Sequence, residues 1–413
     1  MDFMKIWIRV VLGAAVGIAL GAYLPERAGD TALLFQRFFD FIVGVGRYLV
    51  FPMIITSIAV AVFELRDSGR FVFVLLKAIG AMAAVTVATV VLSVIAILVF
   101  VPSRIPPILG DVVVPTVPSF SAVLQGLFPE NLFSVFRFET AFILPAVVFA
   151  VLLGLTFRSE HAETEPVVAF FDSLNRIFYR MTAVFVDIIG IGIVALAAFT
   201  ILRARGIEDF SIFGQLVVVQ VFISALIGFG LLPLVLYLVD RTRSPFQWLL
   251  ALVPAAVTAA FSADAYFTLA PSTRMIKENV GIPRMIGGFV LPLTTILGRA
   301  GTAAMAGASF IVVLRSYTAL DIQFTQVVWV IVTSCTLSFL LGSVPGAGLL
   351  VALTMLSAAF GRGMDDAYLI LVPIIPVLAA ISTVLDVMVS AFVTTVVAIW
   401  EDNKRDIEPY EYV

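Results

Sequence analysis

Three ionisable residues draw attention because they interrupt long apolar runs: Arg299, Asp386 and Asp264. A charge at membrane depth is costly, so such a residue usually faces the protein interior or a wet cavity. Arg299 lies in the Gly298-Arg299-Ala300-Gly301 break of an apolar stretch. Its guanidinium fork matches a carboxylate or phosphate, which makes it a candidate receptor for an anionic solute. The structural alternative is an ion pair with Asp264 or Asp386. Asp386, Ser390 and Thr394 are spaced four apart and so stack as one polar stripe on a helix, expected to line a substrate cavity. Within that stripe Asp386 pairs a substrate amine, carries a proton, or is a buried acid satisfied by Arg299. Asp264 and Tyr266 share a second break, where Asp264 can cap the start of a following helix. Tyr266 and Phe267 can stack on a planar solute or simply fill space.

Composition limits what these residues can belong to. The chain has 413 residues, 61% hydrophobic and 13% charged, with mean hydropathy +1.12. Soluble domains carry about 25% charged residues, so an aqueous surface of this size could not be covered. The lipid bilayer is the expected environment, and a small-molecule substrate the expected partner. A net charge of -3 gives no pull toward nucleic acid. Cys335 and His161 are single, which excludes an intrachain disulfide and a cysteine/histidine metal cluster. No nucleophile, base and oxyanion-hole set is apparent, so no enzyme, metal site or cofactor is expected. The segment from Met1 to Arg9 leads straight into an apolar stretch and reads as a retained first helix; His161 to Glu165 reads as a solvated loop.

A spanning helix needs about 20 mainly apolar residues. Six such segments come first, near 6–24, 38–63, 71–101, 141–157, 168–202 and 212–239. The pattern then changes. Residues 244–281 and 324–361 are apolar but broken midway, at Phe261 to Ala265 and at Gly342 to Gly348. Each half is too short to cross comfortably, so each unit reads as a re-entrant helical hairpin; non-helical backbone is tolerated at depth only where protein or a cavity surrounds it. Between them lies the interrupted helix 284–314, and after them a last helix, 368–400. The fold class expected is all-α and polytopic, with eight transmembrane helices and two hairpins. Broken units repeated in the second half point to a transporter's binding site. Lysine and arginine placement puts both termini in the cytoplasm if both hairpins re-enter without crossing. Residues 102–137, with Pro106, Pro107, Pro115, Pro118 and Pro129, read as an external connector.

This order of elements resembles the dicarboxylate/amino acid:cation symporter family, the glutamate-transporter homologues. Local strings carry the likeness: Leu144-Pro145, Phe170-Phe171-Asp172, Leu291-Pro292-Leu293, Gly301-Thr302 at the end of the family's Asn-Met-Asp-Gly-Thr motif, and Val344-Pro345-Gly346-Ala347-Gly348 at the second hairpin tip. The resemblance implies a homotrimeric elevator in a cell (inner) membrane, with a static scaffold and a mobile transport domain. Residues 1–70 and 138–210 would be scaffold, 102–137 the external loop, and 71–101 with 211–413 the transport domain. Gly298 to Thr302 and both hairpin tips would surround the substrate, with the second hairpin as gate (Pro345, Gly346, Ala347 and Gly348).

The departures concern chemistry. The motif's sodium-binding asparagine and aspartate are Gly298 and Ala300 here, and its methionine is Arg299. The serine-rich first tip has become Ala265-Tyr266-Phe267. Asp386 matches the aspartate that in the family binds the substrate's amino group. The arginine, asparagine and second aspartate that follow it have become Val389, Val393 and Val397, and Leu341 replaces a sodium-site threonine. Sodium needs about five or six oxygen ligands, which valine and alanine side chains do not supply. The expectation is a carrier of a small amino acid or carboxylate-like solute, proton-coupled or uncoupled, with Arg299 supplying the positive charge of the missing sodium. A gated anion conductor on the same fold, or a symporter with relocated sodium ligands, are the alternatives.

Overall fold

Long apolar runs without internal breaks become single helices, as an apolar medium demands that every backbone group find a partner within the chain. In the computed structural model, residues 5–24, 29–106, 131, 143–157, 165–207, 209–241, 244–318, 322–341, 348–361, 363–402, 405 and 407–413 are described. The helices are α1 (Ile6–Tyr23), α2 (Gly29–Asp67), α3 (Phe71–Phe100), α4 (Leu144–Thr156), α5 (Glu165–Arg205) and α6 (Phe210–Val239). A π-helical stretch at Leu226–Leu231 runs through α6 without ending it. No strand occurs among the described residues.

The second half is segmented as its turn residues require. Helices α7 (Pro245–Ser262) and α8 (Leu269–Glu278) pack against one another across the first break. Helices α9 (Arg284–Leu297) and α10 (Ala300–Tyr317) are the two parts of the interrupted helix. The second broken unit is α11 (Phe324–Leu340) and α12 (Gly348–Phe360), also in mutual contact. A 3-10 stretch, Ala367–Ile374, leads into the last helix, α13 (Ile375–Trp400). The second tip, including Pro345, Gly346 and Ala347, lies outside the described residues, as do most of the proline-rich connector and His161 to Thr164.

Among the described residues eight helical segments are long and apolar enough to cross a membrane. They are not quite the expected eight: α4 has 13 described residues, while α7, a hairpin limb, reaches 18. Length alone counts α7 as a span; its partner limb α8, with 10 residues, is too short to be one.

Burial shows what the bundle is built around. In the most apolar window of α9–α10, 94% of residues are buried, against 33–67% in the other candidate spans. The interrupted helix is therefore the core, packed by α3, α11, α12 and α13, while α1, α3 and α6 turn apolar side chains such as Leu12, Phe73 and Val218 outward. Helix α1 lies backbone to backbone on α5, because Gly17 and Gly21 carry no Cβ to meet the Val194 and Ala198 carbonyls.

Candidate functional site

Both breaks and the start of the last helix converge on one cavity of about 590 Å³. Its wall includes Asp264 and Tyr266 from the first tip, Arg299 and Thr302 from the interrupted helix, Gly348 at the start of α12, and Ser382 and Thr383 on α13. Arg47 on α2 and Thr200 on α5 close the opposite side. Five of the expected site residues therefore share it: Arg299, Thr302, Asp264, Tyr266 and Gly348.

Arg299 occupies the two-residue gap between α9 and α10, with φ -105° and ψ 68°, and is 7% exposed. Its backbone N–H donates to the Ser338 carbonyl at 3.3 Å, tying the break to α11. The guanidinium lies so close to Gly348 that a Cβ there would collide with its Nη1. On its other side Cζ is 5.7 Å from the Tyr266 ring centroid, within cation–π reach. Its buried Nε has no hydrogen-bond partner, and no carboxylate among the described residues forms an ion pair with it. The alternative reading, a direct ion pair of Arg299 with Asp264 or Asp386, is thus not what the structure shows.

Each acid is engaged elsewhere. Asp264 pairs with Arg47 of α2. The other oxygen of Asp264, Oδ1, accepts the backbone N–H groups of Tyr266 at 2.9 Å and Phe267 at 2.8 Å. It caps the turn at the tip rather than α8, whose first residue is Leu269. Asp386 is 4% exposed. Its Oδ1 accepts the N–H groups of Gly301 (2.7 Å) and Thr302 (3.1 Å), and its Oδ2 accepts the Thr302 hydroxyl at 2.6 Å. An acid on α13 therefore caps α10, a favourable use of negative charge at a helix N-terminus. The approach needs Gly301, since a Cβ there would meet the Ser382 carbonyl at 2.5 Å and the Asp386 amide nitrogen at 2.7 Å.

The expected stripe is displaced accordingly. Asp386, Ser390 and Thr394 are buried outside the cavity wall, and the Thr394 hydroxyl donates to the Ser390 carbonyl at 2.7 Å. The cavity-facing polar residues of α13 are Ser382 and Thr383, about one turn earlier. The signal for Ser382 was its place four residues before Asp386, and for Arg47 its charge within an apolar helix.

The residues at the family's sodium-ligand positions are dry. Ala300, Val393, Val397 and Leu341 are each 0% exposed, and the space a side chain at Gly298 would enter is filled by Met82 of α3. These side chains do not fit a sodium ion. Among the described residues no three acids, histidines or cysteines group to hold a metal.

The fold and this cavity define an all-α, polytopic integral membrane protein built around an interrupted helix. The chain belongs to the sodium:dicarboxylate symporter family, whose model matches residues 6–400. It is 31% identical to excitatory amino acid transporter 1 of Rattus norvegicus over 238 residues, 55% of this chain and 42% of that protein. It is likewise 31% identical to excitatory amino acid transporter 4 of Mus musculus, over 55% of this chain and 40% of that protein. With excitatory amino acid transporter 3 of Homo sapiens the identity is 26% over 303 residues, 71% of this chain and 56% of that protein. The matches thus span about half the length of these relatives or less.

Proposed function

We propose that this chain is a secondary transporter that binds a small organic anion at Arg299 and carries it across the inner membrane without sodium coupling, as an uncoupled or proton-coupled carrier. The observation that carries this reading is the Arg299 guanidinium, which lines the cavity between Tyr266 and Gly348 with no ion pair among the described residues. A buried, unpaired cation is expensive unless a ligand completes it. The apolar filling around Gly298 and Ala300 supports sodium independence, because a fixed guanidinium stands beside the places where the family's sodium ligands would be.

The movement proposed is an elevator within a homotrimer. In this scheme residues 1–70 and 138–210 form the scaffold, 71–101 and 211–413 the moving part, and both termini face the cytoplasm. The seam between the two supports it. Arg274 pairs with Asp187 at 2.9 Å, Arg284 with Glu64 at 2.6 Å, and the Tyr179 hydroxyl donates to Glu278 at 2.5 Å. Arg47 with Asp264 and Arg284 with Asp172 continue the line. Such polar contacts, in part exposed, can be exchanged during sliding at less cost than interlocked apolar side chains.

The test is uptake of anionic solutes into proteoliposomes by the wild type and by Arg299→Met. Saturable uptake should fall by about 100-fold or more on loss of the charge-assisted contact. Undiminished uptake by the variant contradicts the proposal.

A further inference from the structure

Resting on the reading of this cavity as the substrate site, we propose that it selects a small organic monoanion without an ammonium group, and that Asp386 is a fixed helix cap rather than a receptor for a substrate amine.

The charges on the wall decide which ligand it accepts. Asp386 is outside the wall, and its two oxygens already accept three hydrogen bonds from Gly301 and Thr302. Withdrawing it toward a ligand would orphan the first N–H groups of α10 in a dry interior. Asp264 is closed on itself in the same way, with Oδ1 held by two backbone N–H groups and Oδ2 by Arg47. Asp40 and Arg203, the remaining charged residues of the wall among those described, are exposed at its α2 and α5 side, where solvent screens them.

Among the described residues Arg299 is then the one buried cation on the wall with no acid in direct contact, Asp386 acting on it only through space. A single carboxylate on the ligand satisfies it. Among the described residues a second carboxylate finds Arg47, already neutralised by Asp264, and the exposed Arg203. A ligand ammonium finds no free buried acid and adds like charge near Arg299, which an electrostatically complementary site avoids. Much of the remaining wall is apolar, including Phe261, Leu349, Ile375 and Pro376, and suits an aliphatic or aromatic body.

The test compares matched ligands on the purified full chain in lipid nanodiscs by calorimetry. 4-Methylpentanoate and leucine share a skeleton and differ by the α-ammonium; succinate adds a second carboxylate. The expected result is 4-methylpentanoate binding at least about tenfold more tightly than either of the others, the discrimination an unmatched polar group commonly produces. Leucine or succinate binding as tightly, or no binding of 4-methylpentanoate, overturns the proposal. Leucine binding that disappears in Arg299→Met refutes the exclusion of amines while leaving the anion-carrier reading intact; ligand binding that survives Arg299→Met refutes both. In Asp386→Asn the thermal midpoint should fall while the ratio of the affinities stays the same. A selective loss of leucine binding in that variant would instead make Asp386 the amine receptor, and overturn the assignment.

Discussion

The tip of the first hairpin and the gap in the interrupted helix each place one charged residue in an apolar surrounding, and they dispose of it in opposite ways. At the tip, Asp264 holds two backbone N–H groups and the Arg47 guanidinium, so its charge is consumed in shaping the turn. At the gap, Arg299 has no carboxylate partner among the described residues, and the N-terminal end of α10 beside it is capped from another helix by Asp386. A charge consumed by the backbone is architecture. On the proposed reading, a charge left open to a cavity is kept for a ligand.

That contrast can be broken by substitution, and the largest effect belongs to Asp386. Replacing it with alanine removes three hydrogen bonds from the buried start of α10. The expected loss is about 3–5 kcal/mol, as for breaking a buried charged contact, read as a large fall in thermal midpoint in detergent. Asp264→Ala should cost less, about 1–2 kcal/mol, because it removes a cap while Arg47 keeps access to solvent. Arg299 should behave in the reverse sense. Arg299→Met should leave stability unchanged or raise it by up to about 1 kcal/mol, since it removes an unpaired buried charge, even though uptake is lost. A fall in midpoint for Arg299→Met as large as that for Asp386→Ala would erase the distinction between the two breaks.

Much of this was legible in the sequence. The apolar runs gave the helices to within a few residues at most ends, because in a bilayer hydropathy and helix length are tied together. The breaks at Ser262–Ala265 and Gly298–Arg299 were readable from charge and glycine placed in apolar surroundings. What could not be read was the pairing. Arg47, Asp264, Arg299 and Asp386 are separated by tens to hundreds of residues, and four charges allow several combinations that hydropathy does not rank. The choice is made by close approach: Gly301 lets α10 press on α13 and hands Asp386 to the helix end, which leaves Arg299 open. The same local contact explains the misplaced stripe. With Asp386 turned toward Gly301, Ser390 and Thr394 lie away from the cavity wall, and Ser382 and Thr383 take their place on it.

The proposed role of Arg299 is that of a fixed guanidinium doing what a bound sodium ion would otherwise do. It is tested most directly by measuring the affinity of an anionic ligand for the purified protein in sodium buffer and in choline buffer of equal ionic strength. The same dissociation constant is expected in both, within about twofold, since the proposed site makes no contact with sodium that could be lost. Binding that tightens tenfold or more with sodium would contradict it.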